Sequence, residues 1–366
     1  MFVLSGTSVK RIVTLGLLFS RSGSYARISE ACLTGAENAI ARLNADPTRS
    51  IAFESVSRDP GGNVDLYGPL CEEILAETPA RHIIGCVTSW SRKEVIPTLE
   101  KYGGTLWYAV PYEGFEASDH VVYLHSCPNQ HLLPLLNWTF PTYGRRGFLT
   151  GSNYIWGWEM NRLARETILA AGGDVLGERY LPIGAVDVDR MIDEIRATAP
   201  DFILNSLIGP SSYAFLKAYA ALGESDARFR PDNCPVLSCN LTECELGEIA
   251  DFAEGLIATG PYFRQDPRAF GSSHEAAADC AVQALADLLE DRTAEQSLNI
   301  GDLLQSPAGL NSGIDAKTHH TDQPVLIARV QDGAFRVVFD GGVLPGDPYL
   351  TRPVPVGAHH QLRIVS

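Results

Sequence analysis

The chain has 366 residues, 45% of them hydrophobic, which is enough for a globular protein with two domains of usual size. Its formal net charge of −15 opposes a sequence-independent grip on nucleic acid and docking on an anionic membrane surface, both of which need clustered basic residues. This charge leads us to predict no direct nucleic-acid binding. Since no apolar run reaches about eighteen residues either, we predict no membrane association.

Short apolar segments alternate with helix-like patterns along most of the chain. One helix-like pattern places Ala36, Ala39, Ile40 and Leu43 on a single face. Alternation of these lengths predicts βαβ units, and therefore an α/β fold with mostly parallel sheets flanked by helices. The predicted strands span residues 12–18, 51–57, 82–86, 105–109, 121–124, 147–151, 175–180, 202–206, 236–239 and 256–259.

Two interruptions of this alternation predict crossings between two lobes. The first is Cys127-Pro128-Asn129-Gln130, and the second lies near Thr259-Gly260-Pro261-Tyr262. Close to the end, Gln331-Asp332-Gly333 separates two apolar segments and predicts a hairpin with a primed turn. We expect one lobe from residues 1–127 with 260–322 and another from 128–259 with 323–366, closing over a ligand by hinge motion.

The N-terminal segment and the cysteines bear on cellular location. Lys10 and Arg11 precede an apolar run that is short, interrupted by Thr14 and Gly16, and followed by no small-residue cleavage site. The cysteines form no C-x-x-C pair, which suits a reducing compartment. We therefore expect a cytoplasmic protein, with a periplasmic one as the alternative if a signal peptide has been removed. The eight are Cys32, Cys71, Cys86, Cys127, Cys234, Cys239, Cys244 and Cys280.

Motifs of enzymes, metals and cofactors are missing from the sequence. There is no G-x-S-x-G elbow, phosphate-binding loop or dinucleotide-binding loop, so we predict no enzyme activity and no cofactor. His274-Glu275 is not followed by the second histidine of a zinc helix, which favours a helix surface, and the spacing of Cys234, Cys239 and Cys244 does not match common zinc motifs. The pairs His319-His320 and His359-His360 are expected in solvated loops, and we predict no metal site.

Hydroxyl and aromatic side chains instead gather where predicted strands end. Ligands bind outside the carboxyl ends of strands in open parallel sheets, and small polar ligands are held by apolar walls with a few hydrogen-bonding groups. Glu243 and Glu245 either meet an amide N–H or only begin a helix, and both interpretations stay open. The predicted ligand-binding residues are Val87, Thr88, Ser89, Tyr108, Val110, Tyr154, Trp156, Ser206 and Glu243.

Several short motifs are informative in combination. They are Gly16-Leu17-Leu18-Phe19-Ser20, Asp59-Pro60-Gly61-Gly62, Gly85-Cys86, Ser91-Arg92-Lys93, Pro111-Tyr112-Glu113-Gly114-Phe115-Glu116, Pro128-Asn129-Gln130 and Gly151-Ser152-Asn153-Tyr154-Ile155. Together they resemble the amide- and urea-binding branch of the type I periplasmic-binding-protein fold, and the resemblance spans nearly the whole chain, from about residue 12 to 349.

The resemblance implies a two-lobed protein that binds a small amide between its lobes without turnover. It places Ser89 and Tyr154 on ligand-contacting positions and Tyr108 on the pocket wall. Val87 and Val110 stand where the amide receptors of the branch carry Tyr and Thr, and Trp156 replaces a Tyr. The Thr88-Ser89 pair and Val110 are closer to the urea-binding pattern, so the preferred ligand is expected to differ from that of the amide receptors.

Three functions follow from these observations. The main hypothesis is a cytosolic ligand sensor that regulates genes of amide metabolism through an RNA-binding antiterminator protein. The alternative is the substrate-binding subunit of a urea or short-amide ABC transporter, whose partner is an ABC permease. The third is an amidase with Cys86 as nucleophile, which would need an activating base. The sequence leaves a homo-oligomer open.

Overall fold

The first of two β-sheets contains five parallel strands in the order β2-β1-β3-β4-β5. The computed structural model describes residues 10–115, 118–290 and 299–352. Strands β3 and β4 are buried at every position, as expected for a parallel sheet covered by helices on both faces. The strands are β1 Arg11–Leu18, β2 Ile51–Arg58, β3 His82–Gly85, β4 Thr105–Tyr108 and β5 Val121–Tyr123.

Helices cover both faces of this sheet. Helix α1 packs against α9, which comes from much later in the chain, and α2 packs against α3. The two short helices α10 and α11 pack beside α9. We call this sheet with its helices the first lobe. The helices are α1 Ala26–Ala45, α2 Tyr67–Glu77, α3 Ser89–Tyr102, α9 Ser273–Glu290, α10 Ile300–Gln305 and α11 Pro307–Leu310.

The second sheet contains seven strands in the order β12-β11-β10-β9-β8-β6-β7. Five of them are parallel, and β11 and β12 join the edge next to β10 in antiparallel orientation. The strands are β6 Arg146–Ser152, β7 Asp174–Leu181, β8 Phe202–Ser206, β9 Val236–Ser238, β10 Ile257–Gly260, β11 Gln323–Gln331 and β12 Ala334–Leu344.

Five helices accompany the second sheet and complete what we call the second lobe. Helices α4 and α5 pack together, and α7 packs against both α6 and α8. The bounds are α4 Leu132–Tyr143, α5 Ile155–Ala170, α6 Asp189–Thr198, α7 Pro210–Ser225 and α8 Glu243–Ile249. Two layered, mostly parallel sheets of this kind confirm the predicted two-lobed α/β fold class.

Contacts made by the late part of the chain support the proposed division into lobes. Arg42 of α1 forms an ion pair with Asp279 of α9 at 2.7 Å, and His320 extends the first sheet by bridging to Tyr123. Strand β11 then pairs with β10 in the second sheet. The boundaries near residues 127, 259 and 322 stay a proposal, and the ends of the chain, 1–9 and 353–366, lie outside the described residues.

The C-terminal hairpin is present, whereas the expectation for the nearby histidines is wrong. Asp332 and Gly333 both have positive φ, 51° and 73°, which is the backbone of a primed turn. His319 and His320 are buried, not solvated, because their segment lies against β5 and the His320 ring stacks on Tyr123 with centroids 4.2 Å apart. His359 and His360 lie outside the described residues.

Candidate functional site

A small cavity of about 30 Å³ lies where the strand ends of the two lobes face each other. Its wall comes from the segments after β3 and β4 on one side and after β6, β8 and β9 on the other, with α1 and α9 completing it. This is where open parallel sheets hold ligands. The lining residues are Ile28, Val87, Thr88, Ser89, Tyr108, Val110, Pro111, Tyr154, Trp156, Ile208, Asn240 and His274.

The turn after β3 brings the first group of predicted residues to the cavity. An added Cβ at Gly85 would lie 2.4 Å from the Leu18 carbonyl oxygen, so this close approach of β3 to β1 requires glycine. Thr88 is the N-cap that precedes α3, and its hydroxyl and that of Ser91 form a reciprocal capping box. Because the Thr88 hydroxyl serves the helix terminus, Ser89 is the hydroxyl of this pair better placed to serve a ligand.

Tyr108, at the end of β4, rests on a buried charged group. The Arg92 guanidinium lies 4.9 Å from the ring centroids of both Tyr108 and Tyr112, a cation–π geometry. Arg92 in turn pairs with Glu113 at 2.6 Å. Burial raises the pKa of Tyr108, and the neighbouring guanidinium only partly offsets this, so its phenol stays protonated. Tyr108 therefore offers the cavity wall a neutral, firmly held ring.

The second lobe contributes Tyr154 and Trp156 from the start of α5. Tyr154 is the residue immediately before the helix, and its ring meets Trp90 of α3 edge-on with centroids 5.5 Å apart, across the two lobes. Trp156 is buried beside His131, with ring centroids 5.9 Å apart. Burial raises the pKa of Tyr154 well above its usual value, which keeps the hydroxyl neutral and able to donate.

Two of the predicted site residues lie outside the cavity wall. Ser206 is the buried last residue of β8, and Ile208, two residues further on, reaches the cavity instead. Glu243 begins α8, and its carboxylate accepts a hydrogen bond from the Arg264 backbone N–H at 2.6 Å. Glu245 likewise accepts from the Tyr213 hydroxyl at 2.9 Å. Both acids are engaged by groups of the protein itself, which favours the interpretation that they begin a helix.

The sequence reasoning missed Ile28, Pro111, Ile208, Asn240 and His274. Asn240 and Ile208 follow β9 and β8, so the strand-end rule applied there could have found them. No local signal marks Ile28 or His274, since each sits on a helix that is brought to the cavity by packing. The prediction of a surface position for His274 is wrong, because the side chain is fully buried at the beginning of α9.

The cavity wall carries no charged side chain. None of its residues is Asp, Glu, Lys or Arg, and burial lowers the pKa of His274 to about 4, so its imidazole is neutral near pH 7. Elsewhere in the described chain, no three His, Cys, Asp or Glu side chains are placed to hold a metal ion. Across the same residues no helix is long and apolar enough to cross a membrane.

An uncharged cavity between two facing α/β lobes is the kind of site in which proteins hold a small molecule. The family model for the periplasmic binding protein domain matches residues 13–270, and the chain belongs to that family.

Solved structures of ABC-transporter solute-binding proteins share this fold. One from Rhodopseudomonas palustris HaA2, in complex with p-hydroxybenzoic acid, is 18% identical, covers 92% of this chain and 98% of its own, and has a TM-score of 0.77. An amino-acid substrate-binding protein from Pseudomonas fluorescens Pf-5 is 17% identical with 92% and 97% covered and a TM-score of 0.73. A branched-chain amino-acid binding protein from Streptococcus pneumoniae, with isoleucine, is 14% identical with 91% and 99% covered and a TM-score of 0.71.

Proposed function

We propose that this chain is the solute-binding subunit of an ABC importer and that it binds urea or a short, uncharged amide between its lobes without turnover. The observation that carries the proposal is the combination of a very small cavity and a wall that has hydrogen-bonding groups but no charge.

The volume of the cavity restricts the ligand to a few atoms. One water-sized group needs at least about 10–15 Å³ of such space, so 30 Å³ accommodates two or three groups. Urea and acetamide, with four non-hydrogen atoms each, are close to this size. A benzoate or a branched-chain amino acid, the ligands of the compared proteins, would require the lobes to separate and the aromatic wall to move.

The charge of the wall also distinguishes the ligand from a carboxylate. A buried carboxylate needs a cationic or multiply donating partner, since burying an unpaired charge is costly. The buried cation Arg92 lies behind Tyr108 and is paired with Glu113. A neutral amide fits a wall whose polar groups are neutral hydroxyls, an amide and an imidazole.

Within this proposal the polar and apolar residues have separate tasks. Ser89 and Tyr154, from opposite lobes, hydrogen-bond the ligand carbonyl and N–H groups. Val87, Val110 and the aromatic ring of Trp156 limit its size and exclude water, and Thr88 holds Ser89 in position through the helix cap.

Two observations help to decide whether the protein is an importer subunit or a cytosolic sensor. The compared structures are solute-binding proteins of ABC transporters, which favours an ABC permease as partner and a periplasmic location over the predicted cytoplasmic one. The eight cysteines are all unpaired, however, and six of them are buried, which is typical of a reducing compartment. That second observation keeps the cytosolic sensor with an antiterminator partner as the second candidate.

The cysteine best placed for amidase chemistry is unsuited to it. The Cys86 thiol is buried and donates to the Ser91 carbonyl at 3.5 Å. Burial raises the pKa of this thiol well above its usual value, so the thiolate that a nucleophile needs is disfavoured.

Thermal unfolding against a ligand panel tests the binding proposal. The panel contains urea, formamide, acetamide, propionamide, benzoate and isoleucine, and ammonia release is followed in parallel. A ligand that binds only the folded state adds about 2.7 kcal/mol of stability at a hundredfold excess over its Kd. We expect stabilisation by urea or a short amide with no ammonia released. Stabilisation by benzoate or isoleucine alone would contradict the proposal, and ammonia release would show turnover.

A pair of serine variants and a gene deletion complete the test. Ser89→Ala should weaken binding, whereas Ser225→Ala, which removes a hydroxyl that donates to Leu222 at the end of α7, should not. In the native host, deletion of the gene should abolish uptake of labelled urea or acetamide. Unchanged uptake with lost induction of amide-degrading enzymes would instead identify the sensor.

A further inference from the structure

His274 is a buried polar residue in the cavity wall whose ring makes no hydrogen bond of normal geometry within the described chain. It is the second residue of α9, where the chain returns to the first lobe, and it is fully buried. It faces the same small cavity as Ser89, Tyr154 and Trp156. A histidine in this position is available to a bound molecule.

The hydrogen bonds around His274 leave both of its ring nitrogens unsatisfied. No group of the described chain makes a hydrogen bond of normal geometry to either nitrogen. The neighbouring His125, whose ring lies 5.4 Å away, is satisfied, because it contacts the Ser273 hydroxyl at 3.2 Å and accepts from the Ser126 N–H at 2.8 Å. Buried polar groups without partners cost free energy, so an unsatisfied ring in a ligand-sized space points to a ligand.

Trp156 shows the same feature on the opposite wall. Its indole N–H is buried and has no hydrogen-bond partner in the described chain, although the residue lines the cavity. Indole can only donate, whereas a neutral imidazole has one donor and one acceptor nitrogen. A ligand that satisfies both side chains must therefore offer an acceptor to the indole N–H and a donor to the unprotonated imidazole nitrogen.

The protonation of His274 determines what it can recognise. Burial lowers its pKa to about 4, while the Asn240 backbone acts in the opposite direction, as a carbonyl facing the ring N–H would. The other ring nitrogen then remains an acceptor. An acceptor nitrogen can receive an N–H from an amide but receives nothing from a ketone or a carboxylate.

We propose that His274 is the specificity-determining residue of the cleft, its unprotonated nitrogen accepting an N–H of the ligand while the Trp156 indole donates to the ligand carbonyl. The inference rests on the proposed function, and it deepens it by requiring a ligand that has both groups. It predicts that molecules of the same size without an N–H are rejected.

Three molecules of four non-hydrogen atoms test the inference by isothermal titration calorimetry on the full chain: acetamide, acetone and acetate. We expect the wild type to prefer acetamide to acetone by about tenfold or more, since one buried hydrogen bond is lost, and to exclude acetate. His274→Leu should lower the affinity for acetamide by a similar factor while leaving that for acetone unchanged or raised. The ratio of the two affinities should therefore fall toward one.

His125→Leu is the matched control, because this equally buried histidine touches His274 but does not line the cavity. A purely structural effect would weaken both ligands together and leave their ratio unchanged in either variant. If His274→Leu does not fold, ¹⁵N NMR of the wild type on adding acetamide replaces it, with a shift of the unprotonated His274 nitrogen expected and an unchanged signal overturning the inference.

The two proposals fail in different ways. Acetamide binding with an unchanged acetamide-to-acetone ratio in His274→Leu overturns the role of His274 and leaves the proposed function intact. Failure of the wild type to bind urea or any short amide overturns the proposed function, and the inference with it. If the wild type binds acetamide and acetone equally well, the ligand only displaces water from the cavity, and the inference is overturned.

Discussion

Arg92 and Glu113 form an ion pair of 2.6 Å in which both side chains are almost completely buried, directly behind the aromatic wall of the cleft. The two residues come from α3 and from the segment after β4, so the pair joins the two strand ends that carry Ser89 and Tyr108. Because the guanidinium also lies against the Tyr108 ring, the pair supports the cavity without lining it.

Removing one partner of this pair should be strongly destabilising. Arg92→Met or Glu113→Leu leaves an uncompensated buried charge, and we expect a loss of about 3–5 kcal/mol in the free energy of unfolding measured with guanidinium chloride. The double variant should lose less than the sum of the two, since neither charge then remains.

The exposed pair of Lys101 and Glu72 is the control, because it has the same 2.6 Å distance but is open to solvent. Lys101→Met should change the free energy of unfolding little. Equal losses in the two pairs would show that burial is not what makes the Arg92–Glu113 pair important.

Closure of the lobes should depend on Gly209, which precedes α7. It has a φ of +54°, and an added Cβ would lie 1.9 Å from the Ser24 carbonyl oxygen of the first lobe. Gly209→Ala should hold the lobes apart, lowering ligand affinity at least about tenfold and preventing the ligand-induced decrease in radius of gyration seen by small-angle X-ray scattering.

Gly184→Ala separates this clash from backbone strain. Gly184 also has a positive φ, +82°, but its added Cβ would meet only the Ser24 hydroxyl at 3.3 Å. The lobes of this variant should still close on the ligand, with the same decrease in radius of gyration as in the wild type. Normal closure of Gly209→Ala would show that the contact with Ser24 is not needed in the bound state.

An exposed ion pair across the mouth of the cleft should make closure sensitive to salt. Arg27 of α1 donates to Glu248 of α8 from two nitrogens, at 2.6 and 2.9 Å. Arg27→Met should weaken ligand binding by about threefold at low salt and by less at high salt, because such pairs are screened.

The reversed pair Arg27→Glu with Glu248→Arg should recover most of that affinity. Arg228→Met removes an ion pair confined to the second lobe and should leave affinity unchanged. An effect of Arg27→Met that is independent of salt would contradict an electrostatic origin.

The sequence predicts those cleft residues whose position follows from the neighbouring residues in the chain, and it misses those placed by packing of distant segments. The strand ends at Ser89, Tyr108 and Tyr154 were predictable, because short apolar strands alternating with helices imply where a parallel sheet opens to ligand. The positions of His274 and His320 were not. Both are buried by segments that return from the far end of the chain, and nothing in their neighbouring residues indicates that packing.

Stability should fall as pH rises through the titration of Glu245. This carboxyl is buried, and burial raises its pKa from 4.5 to about 7, while its hydrogen bond from Tyr213 acts in the opposite direction. Because the folded state holds this proton more tightly than the unfolded state, the stabilisation is complete below about pH 4.5 and is lost as pH approaches and passes 7.

Glu245→Gln should remove this dependence while keeping an oxygen that can accept from Tyr213. Compared with the variant, the wild type should lose on the order of 2–3 kcal/mol of unfolding free energy between pH 4.5 and 7.5. Glu254→Gln changes an exposed carboxyl in the same lobe, and its unfolding free energy should vary with pH in the same way as that of the wild type. If the difference between wild type and Glu245→Gln stays constant with pH, folding leaves the pKa of Glu245 unchanged, and the dipole at the start of α8 offsets its burial.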